Sequence, residues 1–226
     1  MTDAPSGRPA GPAGPAGEPS APAAGAATGA GKGAMAGPDG RRRCPWGLSA
    51  PDYLAYHDTE WGRRVHGDQP IFERLCLEAF QSGLSWLTIL RKRDNFRAAF
   101  AGFDIEAVAA FGEDDVARLL ADAGIVRNRA KVRAAINNAR AALELKEGLS
   151  DFFWRFADPA SAPAPVTLAD VPPQTPASKQ LAKELRASGF AFTGPVTVYA
   201  AMQACGLVND HLADCFARGI SIDSNQ

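Results

Sequence analysis

Two pairs of metal-ligating side chains stand near opposite ends of the chain. Cys44 and His57 flank CPWGLSAPDYLAYH, and His211 and Cys215 lie in NDHLADC. Together they make a Cys2His2 set, a complete tetrahedral shell for zinc. One ion taking all four would clip the start of the folded region to its end. A closed shell leaves no position for a reacting water, so such a zinc would be structural and the chemistry must lie elsewhere. Spacing alone keeps a second reading open. His211 and Cys215 share a face if their segment is helical. The interval between Cys44 and His57 follows no local rule, and two buried cysteines with two unrelated histidines fit it as well.

Aromatic residues crowd the same N-terminal third. Trp46, Tyr53, Tyr56, Trp61 and Trp86 fall within 41 residues and include three of the chain's four tryptophans. Each fits an ordinary core; as a group they also suit a pocket that stacks a planar base. Glu78 interrupts the apolar pattern IFERLCLEAF. An acid at the margin of such a stripe is costly without a hydrogen-bond partner or a cation. Either it reaches water, or it stands at the mouth or floor of the aromatic pocket and receives a cationic or proton-donating ligand.

A third feature is LLADAGIVRNRAKV, a helix, a short turn at Gly124 and a second helix with a basic start. Backbone N–H groups at a helix N-terminus hold anions, and Arg127, Arg129 and Lys131 add charge. A plain helix–turn–helix fits the pattern too, because the glycine-rich form of such a hairpin is missing. Arg91-Lys92-Arg93 is a second basic run.

These residues need a helical scaffold. Apolar periodicity predicts helices over 52–61, 70–83, 84–100, 104–110, 113–121, 128–146, 150–156, 177–188 and 195–205, with a Pro- and Ala-rich loop over 157–176. No alternating pattern of useful length predicts a strand. The fold class is therefore all-α.

Residues 1–40 contain 29 Ala, Gly or Pro, too little apolar surface to offset the entropy of ordering. We expect a disordered tail over 1–40, one domain over 41–218 and a flexible C-terminus over 219–226. The tail has no apolar segment of the secretory kind, and no apolar run reaches membrane-spanning length. Four cysteines without an export signal fit a reducing, cytoplasmic compartment. Cys76 and Cys205 sit in apolar patterns and read as small buried hydrophobes. A net charge of −1 means that any nucleic-acid binding must come from a local patch.

The segments RCPWG, YLAYHDTEWG, LCLEAFQSGLSWLTILRKR, DAGIVRNRAKV, NNARA and MQACGLVNDH together resemble the 3-methyladenine DNA glycosylase I family, from Arg43 to about Cys215. The resemblance implies a helix-hairpin-helix glycosylase fold and one structural zinc per chain on Cys44, His57, His211 and Cys215. It implies that Glu78 and Tyr56 hydrogen-bond the methylated base, that Trp46 and Trp86 enclose it, and that Tyr53 and Trp61 stand nearby. Gly124, Arg127, Arg129 and Lys131 would meet the DNA backbone, although Ala130 replaces a frequent family glycine. The implied partner is alkylated double-stranded DNA and the product is free 3-methyladenine. The implied enzyme is a bacterial, nucleoid-associated monomer that leaves an abasic site without cutting the strand.

Overall fold

The computed structural model describes residues 31–157 and 163–220, and the expectations for 1–30 and 221–226 lie outside them. Among the described residues nine helices follow in chain order. They are α1 (Pro51–Thr59), α2 (Asp68–Gln81), α3 (Trp86–Ala99), α4 (Ile105–Ala109), α5 (Glu113–Ala121), α6 (Arg129–Leu143), α7 (Gly148–Trp154), α8 (Pro176–Ala187) and α9 (Pro195–Ala204). Capping explains several starts. Ser85, Asp104, Asn128 and Thr175 each accept a backbone N–H from the first turn of α3, α4, α6 and α8. Proline opens α1, α8 and α9, where its missing N–H costs nothing.

α2 is the central element. Ile71, Phe72, Leu75, Cys76, Leu77 and Phe80 are all essentially inaccessible to solvent. α9, apolar nearly all round, packs on α2 and on α8, while α4 packs on α6. The C-terminal end is drawn back to the N-terminal segment where residues 203–206 cross residues 62–65. Gly62 N–H donates to Gln203 O and Val65 N–H to Cys205 O. Gly206 makes the approach possible: it has φ +71°, and a Cβ there would lie 2.5 Å from the carbonyl of Arg63.

Residues 31–40 depart from the expected tail. Met35–Ala36 (β1) pairs antiparallel with Arg42–Arg43 (β2), with Met35 opposite Arg43. Ala34 is buried. The Asp39 carboxylate grips the Arg43 guanidinium through both oxygens, at 2.6 and 2.7 Å. Composition averages hid this short strap, whose order comes from one ion pair and one buried methyl.

The basic segments also differ from expectation. Lys131 is turned inward: its Nζ donates to Phe80 O at 2.8 Å and Ser82 O at 2.6 Å. It thereby satisfies carbonyls left open at the C-terminus of α2 and places a cation at the negative end of that helix. It is not a phosphate ligand in this arrangement. The Gly124 N–H is likewise committed, to Asp122 Oδ1 at 2.7 Å. Arg91 pairs with Asp52, Arg93 with Glu60, and Lys92 donates to the carbonyls of Ala123 and Gly124. Arg127 and Arg129 remain exposed at the turn between α5 and α6.

Lys131→Met should leave two carbonyls at the end of α2 without their donor and cost about 2–3 kcal/mol. The measurement is the midpoint of chemical denaturation. An unchanged midpoint would mean that the ammonium works in solvent instead.

Candidate metal centre and base pocket

Cys44, His57, His211 and Cys215 converge, and their ligand atoms all lie within 4.8 Å of one another. Cys44 ends the strap just before a 3-10 turn at Pro45–Leu48, and His57 sits on the last turn of α1. The four-residue interval would put His211 and Cys215 on one face of a helix, but the predicted helices end at 205. The two residues stand on a non-helical turn after α9, closed by Cys215 N–H donating to Leu212 O. The spacing still brings them together, because a tight turn returns the chain over the same four residues.

Cys215 Sγ lies 3.4 Å from His57 Nε2 and 3.6 Å from His211 Nδ1, and Cys44 Sγ lies 3.8 Å from His211 Nδ1. Ligand–metal bonds of zinc-like length give tetrahedral edges of about 3.4–3.8 Å. The protonation pattern also fits. His57 Nδ1 faces Asp58 Oδ1 at 2.8 Å and His211 Nε2 faces Trp61 O at 3.1 Å. With those nitrogens donating, the other nitrogen of each ring turns a lone pair to the centre, as metal-bound imidazoles require. Cys44 and Cys215 form a coupled pair. The hydrogen bond from Cys44 holds Cys215 far below the ordinary thiol range, helped by His211 and His57, while the same contact pushes Cys44 up. The four residues could hold one metal ion. Gly47 and Gly62 back onto it: an added Cβ would come within 2.8 Å of the His57 ring and 3.0 Å of His211 Nε2.

The aromatic wall packs against this centre. The Trp46 ring lies 5.1 Å from His57, 5.0 Å from Trp61 and 5.8 Å from Tyr53, each edge to face. Trp61 lies edge to face between Trp46 and His211. Tyr56 and Trp86 lean on each other at 5.5 Å. The Tyr53 hydroxyl accepts the Leu87 N–H at 3.0 Å, which ties α1 to the start of α3.

Glu78 projects from α2 into this group. It is 2% exposed, so the reading in which it reaches water is excluded. Its Oε2 has no hydrogen-bond partner among the described residues, and neither has the Trp86 indole N–H. Burial alone pushes the Glu78 carboxyl up to about 8. Burial, reinforced by the Glu78 charge, also raises both tyrosines. A buried acceptor and a buried donor, both unpaired and on one aromatic site, are a configuration that a planar polar ligand would complete.

One residue escaped the sequence reading. Leu84 is 39% exposed at the tip of the turn joining the helix of Glu78 to the helix of Trp86, just after Gly83 at φ +79°. Its signal was the glycine between two apolar periodicities, which marked a helix break but not which side chain it would present.

Comparison with known proteins agrees with this geometry. A family model described as methyladenine glycosylase matches residues 46–218. The chain is 48% identical over 178 residues to DNA-3-methyladenine glycosylase 1 of Escherichia coli (strain K12), covering 76% of this chain and 95% of that protein. It is 43% identical over 178 residues to the Haemophilus influenzae DNA-3-methyladenine glycosylase, covering 76% and 96%. A crystal structure of 3-methyladenine DNA glycosylase I superposes with TM-score 0.73 at 47% identity, covering 77% of this chain and 98% of that one. The Staphylococcus aureus enzyme, studied for its recognition of 3-methyladenine, gives 0.72 at 35% identity, covering 78% and 96%. A match that runs from Trp46, a wall of the aromatic site, to Arg218, which holds the carbonyls of Asn209 and His211, places this chain in the methyladenine glycosylase family.

Proposed function

We propose that this chain excises 3-methyladenine from alkylated double-stranded DNA by hydrolysing the N-glycosidic bond. The carrying observation is a buried Glu78 carboxyl oxygen without a partner, its charge felt by Tyr53 and Tyr56, in an aromatic group whose Trp86 N–H is likewise without one. Methylation at N3 makes the adenine of the nucleotide cationic. The bond from C1′ to the base is already weakened, and the base leaves with the electron pair as neutral 3-methyladenine. Water adds at C1′ and loses a proton, leaving an abasic site. The protein must extract the base from the stack, which costs a few kcal/mol and least for a damaged base.

Glu78 is the recognising group. It is held largely protonated at neutral pH by burial, and a cationic base entering the site supplies the missing partner. The carboxyl then loses its proton to water and, as a carboxylate, accepts an N–H from the base edge. Trp46, Tyr56 and Trp86 enclose the ring. Tyr53 and Trp61 fix those walls from behind. Arg127 and Arg129, with the N-terminus of α6, are the groups left to meet the DNA backbone in a hairpin manner. Leu84 is placed to fill the gap left in the stack.

We read the enzyme as one that does not cut the strand. Lys131, the lysine beside the end of α2, has its amine committed to two carbonyls, which argues against attack on C1′.

We read the metal as a single zinc with a structural role. The two thiolates and two imidazoles match its preferred ligands, and a closed shell supplies order rather than a reacting water.

Methylated duplex DNA should yield 3-methyladenine in preference to 7-methylguanine. Glu78→Gln should lower kcat/KM by about 10–100-fold, the worth of one charge-assisted hydrogen bond. Unchanged excision in that variant would remove Glu78 from the mechanism.

The same residue sets a pH dependence of stability. The Glu78 pKa is higher in the folded state, about 8 against 4.5. Its contribution is therefore fully present below about pH 4.5 and lost as pH rises through 8. Glu78→Gln should match the wild type in thermal melts near pH 4.5 and exceed it at pH 8.5, by on the order of several kcal/mol. Parallel curves would show that the carboxyl is solvated.

Metal analysis after dialysis should find one zinc per chain in the wild type and a loss in Cys215→Ser, with a lower melting temperature. A metal-free wild type of full stability would refute the zinc reading.

A further inference from the structure

The strap that precedes Cys44 lies outside residues 46–218, the stretch matched by the family model. Its contacts nevertheless run straight to a metal-centre histidine. Arg43 is 3% exposed, and all five of its N–H donors are engaged. Its Nε donates to Asp58 Oδ1 at 2.9 Å, and its Nη2 to Asp58 Oδ2 at 2.9 Å and Asp39 Oδ2 at 2.7 Å. Its Nη1 donates to Asp39 Oδ1 at 2.6 Å and to Arg41 O at 3.3 Å. The guanidinium carbon also sits 4.9 Å from the centre of the Phe216 ring, next to Cys215. Asp58 Oδ1 then faces His57 Nδ1 at 2.8 Å.

From this unbroken line we infer that Asp39 is a positioning residue for the metal centre, acting through Arg43 and Asp58 on His57. The strap is thus a working part of that centre. The inference rests on the zinc reading above.

The physical reason is a tautomer. His57 offers Nε2 to the ion only while Nδ1 carries the proton and gives it to Asp58. Asp58 is an exposed-side carboxylate that could rotate away; the fork of Arg43 fixes its plane through two parallel bonds. Arg43 in turn would have two Nη–H bonds fewer without Asp39 and would be free to tilt. The turn over Gly37–Gly40 sets Asp39 in place, with the Gly37 N–H on Arg41 O and the Arg41 N–H on Asp39 Oδ1. Arg42 fastens the strap from its other side, to Ala34 O at 2.6 Å and to Asp214 at 3.5 Å, one residue before Cys215.

The test uses the full-length, zinc-loaded protein and reads transfer of zinc to an excess of a chromophoric chelator. Asp58→Asn should release zinc about 10–100-fold faster than wild type, and Asp39→Ala about tenfold faster. Asp39→Glu, which keeps the second carboxylate, should recover most of the wild-type rate. Asp39 is half exposed, so its variants should fold. The metal-free forms of wild type and Asp39→Ala should melt together, and the cobalt-substituted variant should keep its thiolate charge-transfer band while its d–d bands shift. Wild-type release from Asp39→Ala would overturn the inference. So would a loss of stability in its metal-free form equal to that of the loaded one, which marks a plain structural contact. A wild type that carries no metal would instead overturn the zinc reading, and the metal role of the strap with it.

Discussion

Closure of the two chain ends on one cluster is the constraint on which the site depends. Cys44 and His57 arrive from the N-terminal part of the described chain, His211 and Cys215 from its C-terminal part, and all four are buried. The same closure orders the aromatic wall, because Trp46 rests on His57 and Trp61 rests on His211. The far face of the metal centre is therefore the near face of the pocket. A close-packed interior transmits such a constraint, since a displaced imidazole cannot move without displacing the indole against it. Gly47 and Gly62 reinforce the coupling by letting backbone come against both imidazoles where a side chain would not fit.

The pocket is built on an unfavourable group. A buried carboxyl with an unpaired oxygen lowers stability, and Glu78 sits on α2, the helix with the most inaccessible side chains. Under the proposed function, that position serves discrimination that a surface position would not. In a desolvated site the difference between a neutral and a cationic base becomes large. The rigid helix also fixes where the acceptor points. Lys131 supports this arrangement from outside the pocket by tying down the end of α2, immediately before the turn that carries Leu84. Lys131, a phosphate ligand in the sequence reading, thus holds the end of α2 instead.

The charge distribution follows the same economy. Most arginines and lysines along α3 are consumed in ion pairs and caps that join helices, with Asp52, Glu60 and Glu73 as partners. Arg127 and Arg129 stay exposed at the α5–α6 turn, in a chain that is close to neutral overall.

Local chemistry determined much of this in the sequence itself. Nine helical periodicities became nine helices among the described residues, because apolar spacing and caps such as Ser85 and Asn128 act within a few residues of chain. The ligand types at Cys44, His57, His211 and Cys215, and the aromatic group around Glu78, were legible for the same reason. Tertiary structure decided what depends on distance across the chain. It brought the two half-sites together and turned Lys131 inward. It also ordered residues 31–40, where composition predicted none, through the β1–β2 pairing, the Arg42 bond to Ala34 O and the grip of Asp39 on Arg43. Burial of Glu78 belongs to the same class. A periodicity marks a margin of a helix face, and only the elements packed over that margin decide whether water reaches it.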